Sequence, residues 1–180
     1  MTFETERLVL RPWYETDAEE LYKYAKDSRV GPIAGWPVHT SARNSREIIK
    51  TVLSEPETYA VVLKETGLPV GSIGLMFHTA LASGDDECEL GYWLGVPYWG
   101  QGIIPEASRE LIRYAFEELK VNRVWCAYSD GNEKSKRVQE KLGFERHHTD
   151  ENVWFPQVGE LRTSHANLLT KEKWELMSKK

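Results

Sequence analysis

The stretch Leu94-Gly95-Val96-Pro97-Tyr98-Trp99-Gly100-Gln101-Gly102-Ile103-Ile104-Pro105 decides how the chain is read. It joins a strand pattern to a helix pattern through a turn that carries two glycines. A helix start exposes backbone N–H groups with no partner inside the helix, and the helix dipole adds partial positive charge there. Together they make a seat for an anion. Glycine lets the backbone approach a phosphate closely and adopt positive φ where a nest of amides requires it. Pro105 falls in the first helical turn, where its missing N–H costs little. A P-loop would place Lys and Ser or Thr directly after the glycines, and Ile103-Ile104-Pro105 offers neither. The dinucleotide fingerprint needs three glycines in an early parallel βαβ unit, whereas two occur here in mid-chain. What remains is a pyrophosphate seat without metal or lysine, which suits a carrier molecule better than phosphoryl transfer.

Outward from this turn the pattern is regular. Before it stand three strand-like runs: Thr58 to Lys64, Val70 to Phe77 and Cys88 to Leu94. Thr66-Gly67 predicts a two-residue hairpin turn between the first two, and the succession suggests an antiparallel meander. Gly71 and Gly74 permit close backbone approach. After the turn comes an amphipathic helix to about Leu119, with Ile104, Ala107, Leu111, Ile112, Ala115 and Phe116 inward and Glu106, Arg109, Glu110, Arg113 and Glu117 outward. A strand over Arg123 to Tyr128 and a helix over Asn132 to Leu142, stopped by Gly143, follow. Two more strands, near Val153 to Phe155 and Leu161 to Leu169, precede a terminal helical turn.

At the other end, Arg7 to Pro12 reads as a strand. Thr16 or Asp17 caps a helix bearing Leu21, Tyr24 and Ala25. Gly31 to Pro37 reads as a loop, and Ser41 to Ser54 as a second helix. The expected architecture is a mixed, mostly antiparallel seven-stranded α/β sheet with helices on both faces.

Composition bounds the function. The 180 residues carry 23 basic and 28 acidic side chains, for a net charge of −5. That length fits one domain over residues 1–180 with a core that needs no disulfide or metal. Mild acidity removes the electrostatic case for a nucleic-acid partner. The acidic N-terminus is unlike a signal peptide, and no apolar run is long enough for a membrane span. Cys88 and Cys126 have no metal-ligand spacing. A cytoplasmic, metal-free protein is the expectation.

Taken in order, Glu89-Leu90-Gly91-Tyr92-Trp93-Leu94, Tyr98-Trp99-Gly100-Gln101-Gly102-Ile103, Glu106-Ala107, Asn132-Glu133-Lys134-Ser135 and Glu140-Lys141-Leu142-Gly143-Phe144 resemble the GNAT acyltransferase superfamily. The likeness covers nearly the whole chain, from Glu4-Thr5-Glu6-Arg7-Leu8-Val9-Leu10-Arg11 onward. It is greatest to the branch of ribosomal-protein N-terminal acetyltransferases. The resemblance implies acetyl-CoA as cosubstrate and direct attack of a primary amine on the thioester, without a covalent enzyme intermediate. Leu94, Gly95 and Val96 would bond the pantetheine arm as an added strand. Backbone amides from Trp99 through Gly100, Gln101, Gly102, Ile103 and Ile104 would seat the pyrophosphate, and Asn132 and Ser135 would reach the carrier.

Such chemistry needs a base or a water relay to take the amine proton, and an acid for the departing thiolate. Glu89 is the first candidate base. A solvated or salt-bridged strand acid is its plain alternative. Ser135 is the candidate acid, against a helix first-turn hydroxyl bonding the backbone. Asn132 reads equally well as a helix cap. Two departures from the family stand out. Its phosphate loop usually begins with Gln or Arg where this chain has Pro97. Many members carry a tyrosine acid where this chain has Gln139, which cannot protonate a thiolate. Glu151, His147 and His148 are weaker alternatives for acid–base work.

Trp36, His39 and Tyr59 are candidate acceptor-pocket residues. The acceptor is a protein N-terminus or a small-molecule amine, and the chain a monomer or homodimer. The competing reading is a non-catalytic acyl-CoA-binding relative of the same fold.

Overall fold

The computed structural model describes residues 1–179. The strands β1 (Phe3–Glu4), β2 (Leu8–Arg11), β3 (Thr58–Leu63), β4 (Pro69–Met76), β5 (Glu87–Leu94), β6 (Arg123–Ser129), β7 (Glu145–Phe155) and β8 (Glu160–Thr170) form a sheet of order β1-β2-β3-β4-β5-β6-β8-β7. The helices are α1 (Ala18–Ala25), α2 (Gly31–Ala34), α3 (Ala42–Thr51), α4 (Ile103–Glu117), α5 (Glu133–Lys141) and α6 (Lys171–Ser178). Most strands run antiparallel, and β5 pairs with β6 in parallel through Glu87↔Arg123, Cys88↔Val124 and Glu89↔Trp125. The mixed α/β architecture is as expected, with eight strands in place of seven. The added strand, β1, has two residues and is defined by its register on β2, Phe3↔Leu10 and Glu4↔Val9. No periodic pattern fits in two residues.

The chain forms two compact units, Met1–Gly74 with Tyr92–Ala107, and Leu75–Gly91 with Ser108–Lys180. In the first, Trp13, Ala18, Leu21, Ala25, Ile49, Ala60 and Val62 make a buried cluster, with Trp36 and Trp93 packed on it. Trp13 stacks on Trp93 at 6.3 Å, and Trp36 meets Trp93 edge-on at 5.7 Å. In the second, Leu111, Ala115, Phe116, Val124 and Leu169 are fully buried.

Several local expectations are corrected. The span 31–37 is not wholly a loop, because Gly31–Ala34 turns as α2. Pro32 sits in its first turn, and Gly35 ends it in the left-handed region at φ 96°. The β3–β4 connection is five residues long, 64–68, and Leu63 N donates to Leu68 O and Gly67 N to Leu63 O across it. Neither Thr16 nor Asp17 caps α1 through its side chain. Asp17 instead accepts from Tyr14 N and from both Arg11 terminal nitrogens, at 2.7 and 2.9 Å. The Val153–Phe155 strand begins at Glu145 as β7. It lies at the sheet edge, polar on both faces and broken by two register shifts, so no alternation marks it. Glu106, expected in solvent, is drawn to Arg7.

Candidate active site

Gly100 and Gly102 both sit in the left-handed region, at φ 74° and 75°. A Cβ on Gly100 would meet no atom within 4 Å, so glycine is required there by conformation and not by crowding. The space over the turn at Gly100 is open. The turn is braced from below. Gln101 Nε2 donates to Pro97 O at 3.0 Å. Arg7 Nη1 donates to Gln101 O at 3.0 Å, while Arg7 Nε donates to Glu106 Oε2 at 2.6 Å. Thr5 Oγ1 and Arg7 N both donate to Glu106 Oε1. Burial raises the Glu106 carboxyl, but Thr5 and Arg7 outweigh it, and its pKa ends below the usual range. Ile103, Ile104 and Pro105 are buried and anchor the start of α4. The residues present therefore fit a pyrophosphate seat built of backbone.

Upstream, Leu94, Gly95 and Val96 are partly committed. Trp99 Nε1 donates to Leu94 O at 2.8 Å, Gly95 N to Val70 O at 2.8 Å and Tyr98 N to Gly95 O at 3.0 Å. Gly71 is needed for contact, since a Cβ there would strike Trp93 O. At Gly95 a Cβ would lie 2.6 Å from the Tyr24 ring.

Glu89 is half-buried on β5. Burial pushes its carboxyl above the usual range, and a hydrogen bond with the Thr79 side chain opposes this only in part. A solvated strand acid would not show that shift. Two residues earlier, Glu87 shows the opposite environment. It is 6% exposed, accepts from Trp125 Nε1 and Gly84 N at 2.7 Å each, and lies 3.3 Å from Arg123 Nε. The Trp125 bond is the largest cause holding its carboxyl below the usual range.

Asn132 caps α5, its Oδ1 accepting from Ser135 N at 3.3 Å. Ser135 and Gln139 share one helix face. Gln139 is completely buried, and its Nε2 donates to Ala127 O and to Ser135 Oγ at 3.2 Å each. Asn167 Nδ2 donates to Gln139 Oε1 at 2.7 Å. Sequence reasoning recognised that Gln139 replaces an acid and missed this network. It also missed the Arg7–Glu106 brace, whose partners are 99 residues apart.

The remaining candidates divide by burial. Trp36 is half-exposed and lies 5.4 Å from His39. His39 is 8% exposed, its Nδ1 bonded to Ser45 Oγ at 2.8 Å, and burial lowers its pKa. Tyr59 is 3% exposed, with its hydroxyl on Glu57 Oε2. Glu151 is exposed on β7, and His147 and His148 bond one another through Nδ1 at 2.7 Å. Among the described residues no group of His, Cys, Asp or Glu is arranged to hold a metal, and no helix is long and apolar enough to cross a membrane.

Comparison with known proteins gives the family and the fold. The family model of the acetyltransferase (GNAT) domain matches residues 7–145. YdaF of Bacillus subtilis, provisionally named a ribosomal N-acetyltransferase, is 52% identical over 58 residues, which are 32% of this chain and 32% of that protein. The uncharacterized N-acetyltransferase p20 of Bacillus licheniformis is 29% identical over 150 residues, covering 81% of this chain and 83% of p20. The solved GNAT-family acetyltransferase from Bacillus anthracis has the same fold, with a TM-score of 0.84 and 23% identity over 96% of this chain and 99% of that one. With the family model spanning most of its length and the glycine turn in place at the head of α4, this chain belongs to the GNAT family of N-acetyltransferases.

Proposed function

We propose that this enzyme moves the acetyl group of acetyl-CoA to a primary amine by direct attack, with a protein N-terminus as the favoured acceptor. The whole chain, residues 1–180, acts as one acetyltransferase domain in this reading. The single observation that carries it is the pair of left-handed glycines, Gly100 and Gly102, at the start of the fifteen-residue helix α4, whose apolar face is buried. That turn offers backbone amides to a pyrophosphate without needing a cationic side chain at Pro97. Acetyl-CoA, when bound, supplies an activated acyl thioester.

The residues then divide the work. Trp99 to Ile104 hold the phosphates, and Leu94, Gly95 and Val96 align the pantetheine arm. Leu94 O and Gly95 O already accept bonds within the chain, and a carbonyl has a second lone pair to offer. Glu89 takes the amine proton. Burial raises its pKa, which makes it a stronger base than an ordinary carboxylate. Ser135 donates to the departing sulfur. Asn132, whose Oδ1 is occupied by the cap, meets the carrier through Nδ2. Trp36 is the accessible acceptor-side aromatic, and His39 and Tyr59 act through the neighbours they hold.

The name of YdaF supports a protein acceptor. The net charge of −5 adds weak attraction for a cationic amine. The test is thiol release from acetyl-CoA with peptides bearing free N-terminal Ala, Ser or Met, and with spermidine and kanamycin. Release with the peptides, and an acetylated N-terminus by mass spectrometry, is expected. CoA binding with no release on any amine would support the non-catalytic relative instead.

A further inference from the structure

We propose that Arg7 is a positioning residue for the carrier: its guanidinium holds the Gln101 carbonyl and so fixes the direction in which the glycine turn offers its backbone amides. The inference rests on the reading of that turn as the pyrophosphate seat, and it follows from peptide geometry. In a helical ladder Gln101 O would accept from the N–H of residue 105, but residue 105 is proline and has none. Arg7 Nη1 supplies the donor instead, at 3.0 Å. A trans peptide is planar, and its N–H points away from its C=O. Holding Gln101 O therefore aims the Gly102 N–H of the same peptide to the opposite side. Among the described residues Gly102 N has no hydrogen-bond partner. The next peptide is fixed in the same way, because Glu106 N donates to Gly102 O at 3.1 Å.

The guanidinium is itself held. Its Nε donates to Glu106 Oε2 at 2.6 Å, and a planar fork bound at two atoms keeps one orientation. Its Nη2 would stand 3.6 Å from a Cβ on Gly102, which puts the fork directly against the turn. Glu106 is pinned in turn by Thr5 Oγ1 at 2.6 Å and by Arg7 N at 2.8 Å. Arg7 lies between β1 and β2, where Thr5 N donates to Leu8 O and Leu8 N to Thr5 Oγ1. Lys64 N donates to Arg7 O at 2.9 Å, so the backbone of Arg7 is tied on both sides. The Gln101 side chain is engaged with Pro97 O, and Pro97 brings no side-chain donor of its own. The direction of the 101–102 peptide thus depends on a residue that lies 94 positions away from Gln101 in sequence.

The experiment is calorimetric titration of CoA into the full chain, comparing wild type, Arg7→Lys and Arg7→Gln, with Gly102→Val as the control for the seat. Lysine keeps the charge and can meet Glu106, but a single ammonium replaces the fork. We expect both Arg7 variants to raise the Kd of CoA about tenfold, the size of a lost hydrogen bond from a charged group. Steady-state kinetics with the N-terminal peptides should show the rise in KM for acetyl-CoA and little change in kcat. Arg7→Lys carries the test if Arg7→Gln does not fold. A merely structural role would lower the titration stoichiometry through unfolded protein and leave Kd unchanged, and that result would overturn the proposal. Wild-type Kd in Arg7→Lys beside a weakened Arg7→Gln would also overturn it, since charge alone would then suffice. Wild-type Kd in both Arg7 variants beside a weakened Gly102→Val would overturn the positioning role alone. Wild-type Kd in Gly102→Val would overturn the reading of the seat itself.

Discussion

The turn at Gly100–Gly102 and the candidate side chains Glu89, Ser135 and Gln139 use opposite materials. The turn is made of backbone. Its requirement is conformational, and the side chains around it, Arg7, Glu106 and Gln101, brace the loop. The second group is made of side chains whose meaning depends on burial and on which atom donates. Glu87 and Glu89 show the difference within three residues of one strand. Hydrogen bonds and a guanidinium hold the first carboxyl down, and burial pushes the second up. A backbone site therefore reads directly from sequence, while a side-chain site needs the fold.

The largest expected effect falls on the side-chain group. Glu89→Gln should lower kcat by about a hundredfold or more and leave acetyl-CoA affinity within a fewfold of wild type. In the wild type kcat should rise with pH through a limb displaced upward from the ordinary carboxylate range, because the base works only when deprotonated and its pKa is raised. A pH–rate profile of both proteins checks this. The same limb in Glu89→Gln would assign it to another group.

Next in size is Glu87→Gln, which leaves a buried network around Trp125 and Arg123 incompletely matched. Denaturant unfolding at pH 7 should show a loss of about 1–3 kcal/mol with little change in kcat per folded molecule. Glu87 has a depressed folded pKa. Its stabilisation is therefore present above the ordinary glutamate range and lost as pH falls through the depressed value. The gap between variant and wild type should close in acid. A gap that persists would show that its hydrogen bonds do not depend on charge.

Smallest is Asn132→Ala, which removes the cap on Ser135 N and should cost about 1 kcal/mol in thermal or denaturant unfolding. If it also raises KM for acetyl-CoA, Asn132 Nδ2 serves the carrier as well as the helix.

The same distinction explains what the sequence shows of the fold. α5 is legible at both ends, because Asn132 and Gly143 act on their own neighbours, the latter at φ 84°. α4 is legible from its apolar stripe. β7 is legible only at Val153 to Phe155, since its earlier residues, 145–152, are charged and polar at the sheet edge and have no buried face to impose alternation. β1 and the Asp17–Arg11 pair are specified by what lies across from them. Among the candidate residues, the glycine turn and Glu89 are picked out by type and spacing. The burial of His39, Tyr59 and Gln139 is a property of packing, and no local pattern announces it.

The central claim is that a backbone turn seats the carrier. It is tested most directly by calorimetric titration of acetyl-CoA into the wild type and Gly102→Val, with circular dichroism to verify the fold. A β-branched residue at φ 75° costs more than the roughly 1–2 kcal/mol of an ordinary left-handed residue. A strained turn should therefore weaken binding about tenfold, and beyond that where the side chain enters the phosphate space. Folded Gly102→Val with wild-type affinity would contradict the account.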